Sequence, residues 1–386
     1  MILKNNKKTF HVAGPYFSKK DINWILKETK KVLNGKLSTG PYTLKFEKLF
    51  AKFIGVKYAV FLNTCTSALE IAVHSLNLKK NDEVIVPCET FIATGMAVTS
   101  QGGKVVFANI NEKTFCLDLN EIKKKFTKKT KAIMLVHFGG YMPFDVLKIR
   151  KFCKEKKIKL IEDCAHAIGS ELNGVKAGSI GDIGCFSFFA TKTMTTAEGG
   201  MFTTNNSKLY KHALSLRERG RDWNKKGELY GIGWRSCRVP EISAVIGLSQ
   251  FSNIKKIISH RNKICKIYNN EIKKCSYLNT LPILMNSKLS IWKHITLLNH
   301  PKLDRLKLLE ILKKKYNIFI NWAYDPPLHL QPVYKSRYLS QRNQFLKTEN
   351  LMKKHFHLPL TMMISLNDAK KIVKTLIYEV NNIVKS

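Results

Sequence analysis

The stretch Gly181-Asp-Ile-Gly-Cys-Phe-Ser-Phe-Phe-Ala-Thr-Lys192-Thr-Met-Thr-Thr-Ala-Glu-Gly-Gly200 governs how this 386-residue chain is read. Residues 184–189 form a short apolar run with the length of a buried strand, and a second strand is predicted over 200–203. A turn rich in Thr and Gly joins them, and in it stands Lys192. The chain holds 56 lysines, so lysine by itself carries no information, yet none but Lys192 occurs between positions 177 and 207. An amine at the end of a buried strand is partly desolvated, which lowers its pKa and makes it a nucleophile near neutral pH.

The same grammar extends outward. Upstream, Lys159-Leu-Ile-Glu-Asp163-Cys-Ala-His166-Ala-Ile-Gly-Ser ends a buried strand on a carboxylate. Asp163 there is either a helix N-cap or the partner of a bound cation, and His166 alone reads as a structural histidine. Strands are predicted over 58–62, 83–86, 104–108, 132–137, 159–162, 184–189 and 200–203. Between the earlier ones lie predicted helices over 66–76, 91–100, 119–126 and 144–156. The alternation specifies a three-layer α/β domain with a mostly parallel sheet, whose ligands sit at the carboxyl ends of the strands. After Pro240 the pattern changes to helices over 241–251 and about 253–274, strand-like segments near 290–298 and 317–322, and a last helix over about 367–385. That helix carries apolar residues at 372, 373, 376, 377, 380, 383 and 384, the spacing of one buried face. The expected division is a large domain over 1–250 with an N-terminal arm and a smaller α+β domain over 251–386, with no repeat or low-complexity linker.

Composition narrows the function. Lys and Arg number 66 against 28 Asp and Glu, a formal charge of +38, which raises nucleic acid as a partner. Only 10 of the basic residues are Arg, the side chain suited to bidentate phosphate and base contacts, and none precedes Arg150. The lysines are spread along the chain as solvated helix faces, so a general lysine bias is preferred over a nucleic-acid site. Half of the arginines fall in 22 residues, as Arg217, Arg219, Arg221, Arg235 and Arg238. They form either an ion-pair cluster or a site for a phosphate-bearing ligand. Nine scattered cysteines without a Cys-x-x-Cys pair fit a reducing compartment and give no metal signature. The basic start, Met-Ile-Leu-Lys-Asn-Asn-Lys-Lys, lacks the apolar core of a signal peptide, and no run of about 18 apolar residues occurs. A cytoplasmic protein without membrane association is expected.

Several motifs, in order, carry a resemblance. Gly35-Lys-Leu-Ser-Thr-Gly-Pro41 is followed by Phe46-Glu47, then Asn63-Thr-Cys-Thr66-Ser67-Ala-Leu69. Next come Asp82-Glu-Val-Ile-Val-Pro87 with Thr90-Phe91-Ile-Ala-Thr94, then Ile161-Glu-Asp163-Cys-Ala-His166. Phe186-Ser187-Phe188 with Lys192 and Glu198-Gly-Gly200 follow. Last are Arg238-Val-Pro-Glu-Ile-Ser-Ala244, Pro327-Leu-His329-x-Gln331-Pro332 and Leu358-Pro-Leu360. Over nearly its whole length the chain resembles the DegT/DnrJ/EryC/StrS sugar aminotransferases, pyridoxal-phosphate enzymes of the type I, aspartate aminotransferase-like fold.

The resemblance implies roles. Lys192 would hold the cofactor covalently and then shuttle the proton, and Asp163 would pair with the pyridine nitrogen. Phe91, otherwise an ordinary core aromatic, would stack on the ring, and His166 would lie beside its phenolic oxygen. Cys65, Thr66, Ser67 and Ser187 would receive the phosphate. Ser236 stands where the family places an Asn that reaches the partner subunit's phosphate, and Ala197 stands where Gly is usual. His329, Arg219 and Arg238 are the candidate substrate contacts. A lysine rather than a histidine at 192 favours transamination over dehydration. The expected enzyme is a homodimer with active sites at the interface. It would move an amino group from L-glutamate to a keto-sugar on a nucleoside diphosphate, a 3- or 4-keto-6-deoxy sugar, for amino-sugar and surface-glycan synthesis. The alternatives are an aminotransferase of a cyclitol ketone, a sugar dehydratase on the same scaffold, and a basic nucleic-acid-binding regulator.

Overall fold

The computed structural model describes residue 3, residues 8–338 and residues 343–386; most of the basic N-terminal stretch lies outside them. Its strands are β1 (Tyr58–Leu62), β2 (Glu83–Pro87), β3 (Lys104–Ala108), β4 (Thr130–Val136), β5 (Lys159–Asp163), β6 (Glu171–Leu172), β7 (Val175–Lys176), β8 (Ile183–Ser187), β9 (Gly200–Thr204), β10 (Leu278–Thr280), β11 (Ser287–Lys288), β12 (His294–Leu298) and β13 (His355–Leu358). Seven of them form one sheet in the order β1-β9-β8-β5-β4-β2-β3. All run parallel except β9, which pairs antiparallel with both β1 and β8.

Alternation along each strand builds the two outer layers. Phe61, Ile85, Ile133, Leu135 and Phe186 point to one face. There they meet α2 (Pro41–Ile54), α5 (Leu119–Lys125), α6 (Val146–Glu155) and α8 (Glu241–Ser252) through Phe46, Phe50, Ile122, Ile149 and Ala244. Val60, Leu62, Val84, Met134 and Cys185 point the other way. They meet α3 (Cys65–His74), α4 (Ile92–Thr99) and α7 (Ser207–Arg217). The helix α1 (Lys19–Leu33) packs on α8. A further core gathers around the antiparallel sheet β10-β12-β13, covered by α9 (Ile254–Ile272), α10 (Arg305–Tyr316), α12 (Leu346–Lys354) and α13 (Leu366–Lys385). The short α11 (Pro332–Tyr338) instead places Tyr334 in the core of α3 and α4.

The seven predicted strands of the main sheet are all present, displaced at their ends by two residues at most. Two later segments differ. Residues 290–293 do not join β12, because the N–H groups of Trp292 and Lys293 donate to Gly139 O at 2.8 and 3.3 Å instead of to a strand. Residues 317–322 form no strand: Ile318 and Ile320 are buried, but the backbone makes only single bridges, to Phe10 and to His357. Both departures carry the chain toward the carboxyl ends of the parallel strands.

Candidate active site

Five strand ends converge on one cavity of about 310 Å³. β1 leads into Thr64 and α3, β2 into Thr90 and Phe91, β4 ends at Val136, β5 at Asp163 and β8 at Ser187, and all of these residues line it. Parallel strands deliver their following loops to the same edge, which is why residues far apart in sequence meet here.

Lys192 lies on the cavity wall, in the turn after β8. Desolvation by burial lowers the amine from 10.5 to about 8, with the nearby Cys65 and Asp163 opposing the shift. The ammonium stands 4.1 Å from the centre of the Trp292 ring, a cation–π contact. Trp292 is itself held by its indole N–H, which donates to Thr191 O at 2.7 Å.

Asp163 is almost wholly buried. One carboxylate oxygen accepts from Thr94 Oγ1 at 2.9 Å and the other from the Ala165 N–H at 3.1 Å. Burial still pushes its carboxyl above the usual range, against those bonds and the pull of Lys192. It is therefore an acid whose charge its neighbours only partly stabilise, a setting that favours a cationic group beside it.

His166 is buried against Trp292, with ring centres 3.9 Å apart. Burial, reinforced by Lys192 and Lys293, drops its pKa well below the ordinary value, so the ring is neutral. The Gly139 N–H donates to its Nδ1 at 3.2 Å. The proton therefore sits on Nε2, which faces the Tyr324 hydroxyl at 3.1 Å. Phe91, which caps the start of α4, is half-exposed on the cavity rim, its ring 5.8 Å from that of Tyr324.

The start of α3 faces the same space. Thr64 caps it by accepting the Ser67 N–H at 3.0 Å. The N–H groups of Cys65 and Thr66, in the first turn, have no acceptor inside the helix, and both residues line the cavity. Gly200 packs against this turn so closely that a Cβ there would lie 2.3 Å from Thr64 O and 2.4 Å from Cys65 N. The carboxyl end of the sheet thus offers an amine, a carboxylate and a helix N-terminus to one enclosed volume. These are the groups that a pyridine nitrogen, an aldehyde and a phosphate need, so the residues fit pyridoxal phosphate.

Of the sequence-predicted residues, Lys192, Asp163, His166, Phe91, Cys65, Thr66 and Ser187 are brought together here. Five are not among the lining residues. Ser67 turns its hydroxyl to Asn63 Oδ1 at 2.7 Å. His329 is buried between Phe107 and Phe345, with Nε2 3.2 Å from Glu349. Arg238 pairs with Glu218 at 3.1 Å, Arg219 holds the Tyr230 hydroxyl at 3.2 Å, and Ser236 is exposed beside Glu218. Three of the five clustered arginines are neutralised by acids, since Arg217 also pairs with Glu47 and Arg235 with Glu70. Sequence reading missed Trp292, Tyr324 and the role of Thr94. Trp292 falls in a segment expected as a strand and Tyr324 just beyond the other one, and the clue was their irregular setting, in particular Asp325-Pro-Pro327 directly after Tyr324.

A sequence profile of the DegT/DnrJ/EryC1/StrS aminotransferase family matches residues 20–377. GDP-perosamine synthase of Escherichia coli O157:H7 is 34% identical over 304 residues, 78% of this chain and 81% of that protein. Among solved structures, Helicobacter pylori PseC, an aminotransferase involved in the biosynthesis of pseudoaminic acid, superposes with a TM-score of 0.87 at 28% identity, covering 97% of this chain and all of that one. The pyridoxal-phosphate form of the sugar aminotransferase Spr1654 from Streptococcus pneumoniae gives 0.88 at 26% identity, again covering 97% and 100%. The dehydratase, cyclitol and nucleic-acid readings find no support among these relatives.

Proposed function

This chain belongs to the DegT/DnrJ/EryC1/StrS aminotransferase family, and from that premise we propose that it aminates a keto-sugar carried on a nucleoside diphosphate, with L-glutamate as donor. It is a pyridoxal-phosphate-dependent sugar aminotransferase of amino-sugar biosynthesis. The sugar we propose is a 3- or 4-keto-6-deoxy hexose. The observation that supports the reading best is that the Lys192 amine and the Asp163 carboxylate open into one cavity with the N-terminus of α3.

Bound in that cavity, pyridoxal phosphate supplies an electron sink that lets a proton leave the carbon bearing nitrogen. The protein's part follows from its own groups. Lys192, with a pKa of about 8, has a substantial neutral fraction at neutral pH, so it can attach the cofactor and carry a proton to and from the reacting carbon. Asp163, held by Thr94 and Ala165, would keep the pyridine nitrogen protonated. Neutral His166 accepts the Gly139 N–H at Nδ1 and presents its single N–H, on Nε2, to the Tyr324 hydroxyl, so it orients the site without adding charge. Trp292 lies against the amine and shares the cavity wall with Tyr324. Glutamate leaves its nitrogen on the enzyme and departs as the keto acid before the sugar ketone collects that nitrogen, a ping-pong order.

We propose a homodimer, with sites completed by the partner. Ser236, Arg219 and Arg238 are not on the cavity wall of their own chain, which suits a role across the interface. Residues 1–250 would carry the cofactor and residues 251–386 would form the smaller, closing part. No helix among the described residues is long and apolar enough to cross a membrane.

The experiment is spectroscopic. Purified protein should show the visible band of lysine-bound pyridoxal phosphate, lose it on adding glutamate, and lack it as Lys192→Ala. The glutamate-treated enzyme is then given a panel of keto-sugar nucleotides, and the acceptor is the one that restores the band. Wild-type protein that binds no pyridoxal phosphate refutes the reading.

A further inference from the structure

A second cavity, of about 420 Å³, adjoins the first and shares Thr191, Trp292 and Tyr324 with it. His11, Phe319, Asn321, Trp322 and His357 form other parts of its wall, and its lining contains no Asp or Glu. Lys293 lies on that wall. It is 5% exposed, and among the described residues no carboxylate or other acceptor pairs with its ammonium. Its ammonium lies over the Trp292 ring, 4.8 Å from the ring centre. Arg261 stands nearby, also buried. Its guanidinium donates to the carbonyls of Ile291 at 3.0 Å and Trp292 at 2.6 Å and, among the described residues, to no acid.

A buried amine on a cavity wall, with a guanidinium close behind it and no carboxylate in the lining, is charged only at a cost that an incoming anion would offset. The strain is visible in the amine: burial first, then Arg261 and Lys192, lower Lys293 to about 7. Its position relative to the chemistry is also defined. Lys192 and Lys293 contact the same indole ring at 4.1 and 4.8 Å, so even on opposite faces their nitrogens are no more than about 9 Å apart. One substrate molecule of sugar or amino-acid size can span that gap. The arginines near 217–238 are less available, because Arg217, Arg235 and Arg238 are already paired with Glu47, Glu70 and Glu218.

We propose that Lys293, supported by Arg261, is the anion-binding residue of a substrate subsite in this second cavity. It would take a carboxylate or phosphate oxygen of the molecule whose reacting carbon lies at Lys192. The inference rests on the aminotransferase reading and adds to it a specificity residue. An oxyanion at this place could be the side-chain carboxylate of the amino donor or the diphosphate of the acceptor. The electrostatics are the same for both.

The test uses cofactor-loaded enzyme as wild type, Lys293→Met and Lys293→Arg, titrated calorimetrically with inorganic pyrophosphate and with glutarate. Half-reaction kinetics are then measured with glutamate, alanine and the keto-sugar nucleotide. Loss of one charge-assisted contact should weaken anion binding about 10- to 100-fold in Lys293→Met and much less in Lys293→Arg. If pyrophosphate affinity and the sugar-nucleotide KM change, the anion is the diphosphate. If glutarate affinity and the glutamate KM change while alanine is unaffected, it is the donor carboxylate. The proposal is overturned if Lys293→Met keeps its visible cofactor band and binds both anions like wild type, or if wild type binds neither. Failure of the aminotransferase reading is separate: it appears in wild type as the absence of that band.

Discussion

An amine with a pKa of about 8 inside a protein is set by what surrounds it, and at Lys192 the first cause is desolvation. The sign has a kinetic consequence. Only the neutral amine attacks an aldehyde, so cofactor capture by cofactor-free protein should rise with pH and level off above about 8. An exposed lysine would keep rising toward 10.5. Stopped-flow absorbance from pH 6 to 10 reads this directly, and a midpoint near 10.5 would sink the account. His166 moves in the same direction for the same reason, so it stays neutral across that range and contributes no second inflection. At this scale the sequence was informative about Lys192 and Asp163, because a strand-ending charge is a local pattern. It was silent on Trp292 and Lys293, since nothing in Ser290-Ile-Trp-Lys293 says that Gly139 will divert the backbone and turn those side chains toward the cavities.

Elements meet the site through close backbone contacts. The antiparallel β9 begins at Gly200, against the first turn of α3, and that position has no room for a side chain. Gly200→Ala should therefore displace the α3 N-terminus. The expected result is a loss of about 1–3 kcal/mol of stability and at least a tenfold weaker hold on pyridoxal phosphate. Thermal melts with and without cofactor, together with a cofactor titration, check both. Unchanged cofactor affinity would remove α3 from the proposed phosphate site. Just before this strand, Ala197 takes φ +68°, a left-handed conformation that suits glycine, which accounts for the family's usual residue there. The predicted helices and strands of the α/β layer match because hydrophobic period and turn residues are local signals. The segment 317–322 did not form a strand, although Ile318 and Ile320 are as buried as strand residues. Burial alternation predicts which side chains go inward. It does not predict whether a neighbour is available to continue a ladder.

For the whole molecule, the charge of +38 is distributed over surface lysines and says little about chemistry. More telling is an uncovered apolar stripe on α1: Ile22, Leu26 and Leu33, with Leu37 just beyond the helix, are 46–62% exposed. Helical spacing puts the first three on one side, and the proposed dimer would cover them. The double variant Leu26→Asp, Leu33→Asp should shift the protein from dimer to monomer in light scattering, with an unchanged circular dichroism spectrum. Because the partner is expected to complete the site, activity should fall with dimerisation. A variant that remains dimeric would place the interface elsewhere.

The sequence alone determined the alternating α/β layers, the lysine and carboxylate at two strand ends, and the family resemblance, because each is written in contiguous residues or fixed spacings. Only the tertiary structure decided which charges are already neutralised. The arginine cluster could be read as an ion-pair cluster or as an anion site until Glu47, Glu70 and Glu218 were seen to pair with three of its members. Lys293 looked like one lysine among 56 until it was found buried beside a cavity with no acid in its lining. Charge balance depends on distances between residues remote in sequence, and those distances exist only once the chain is folded.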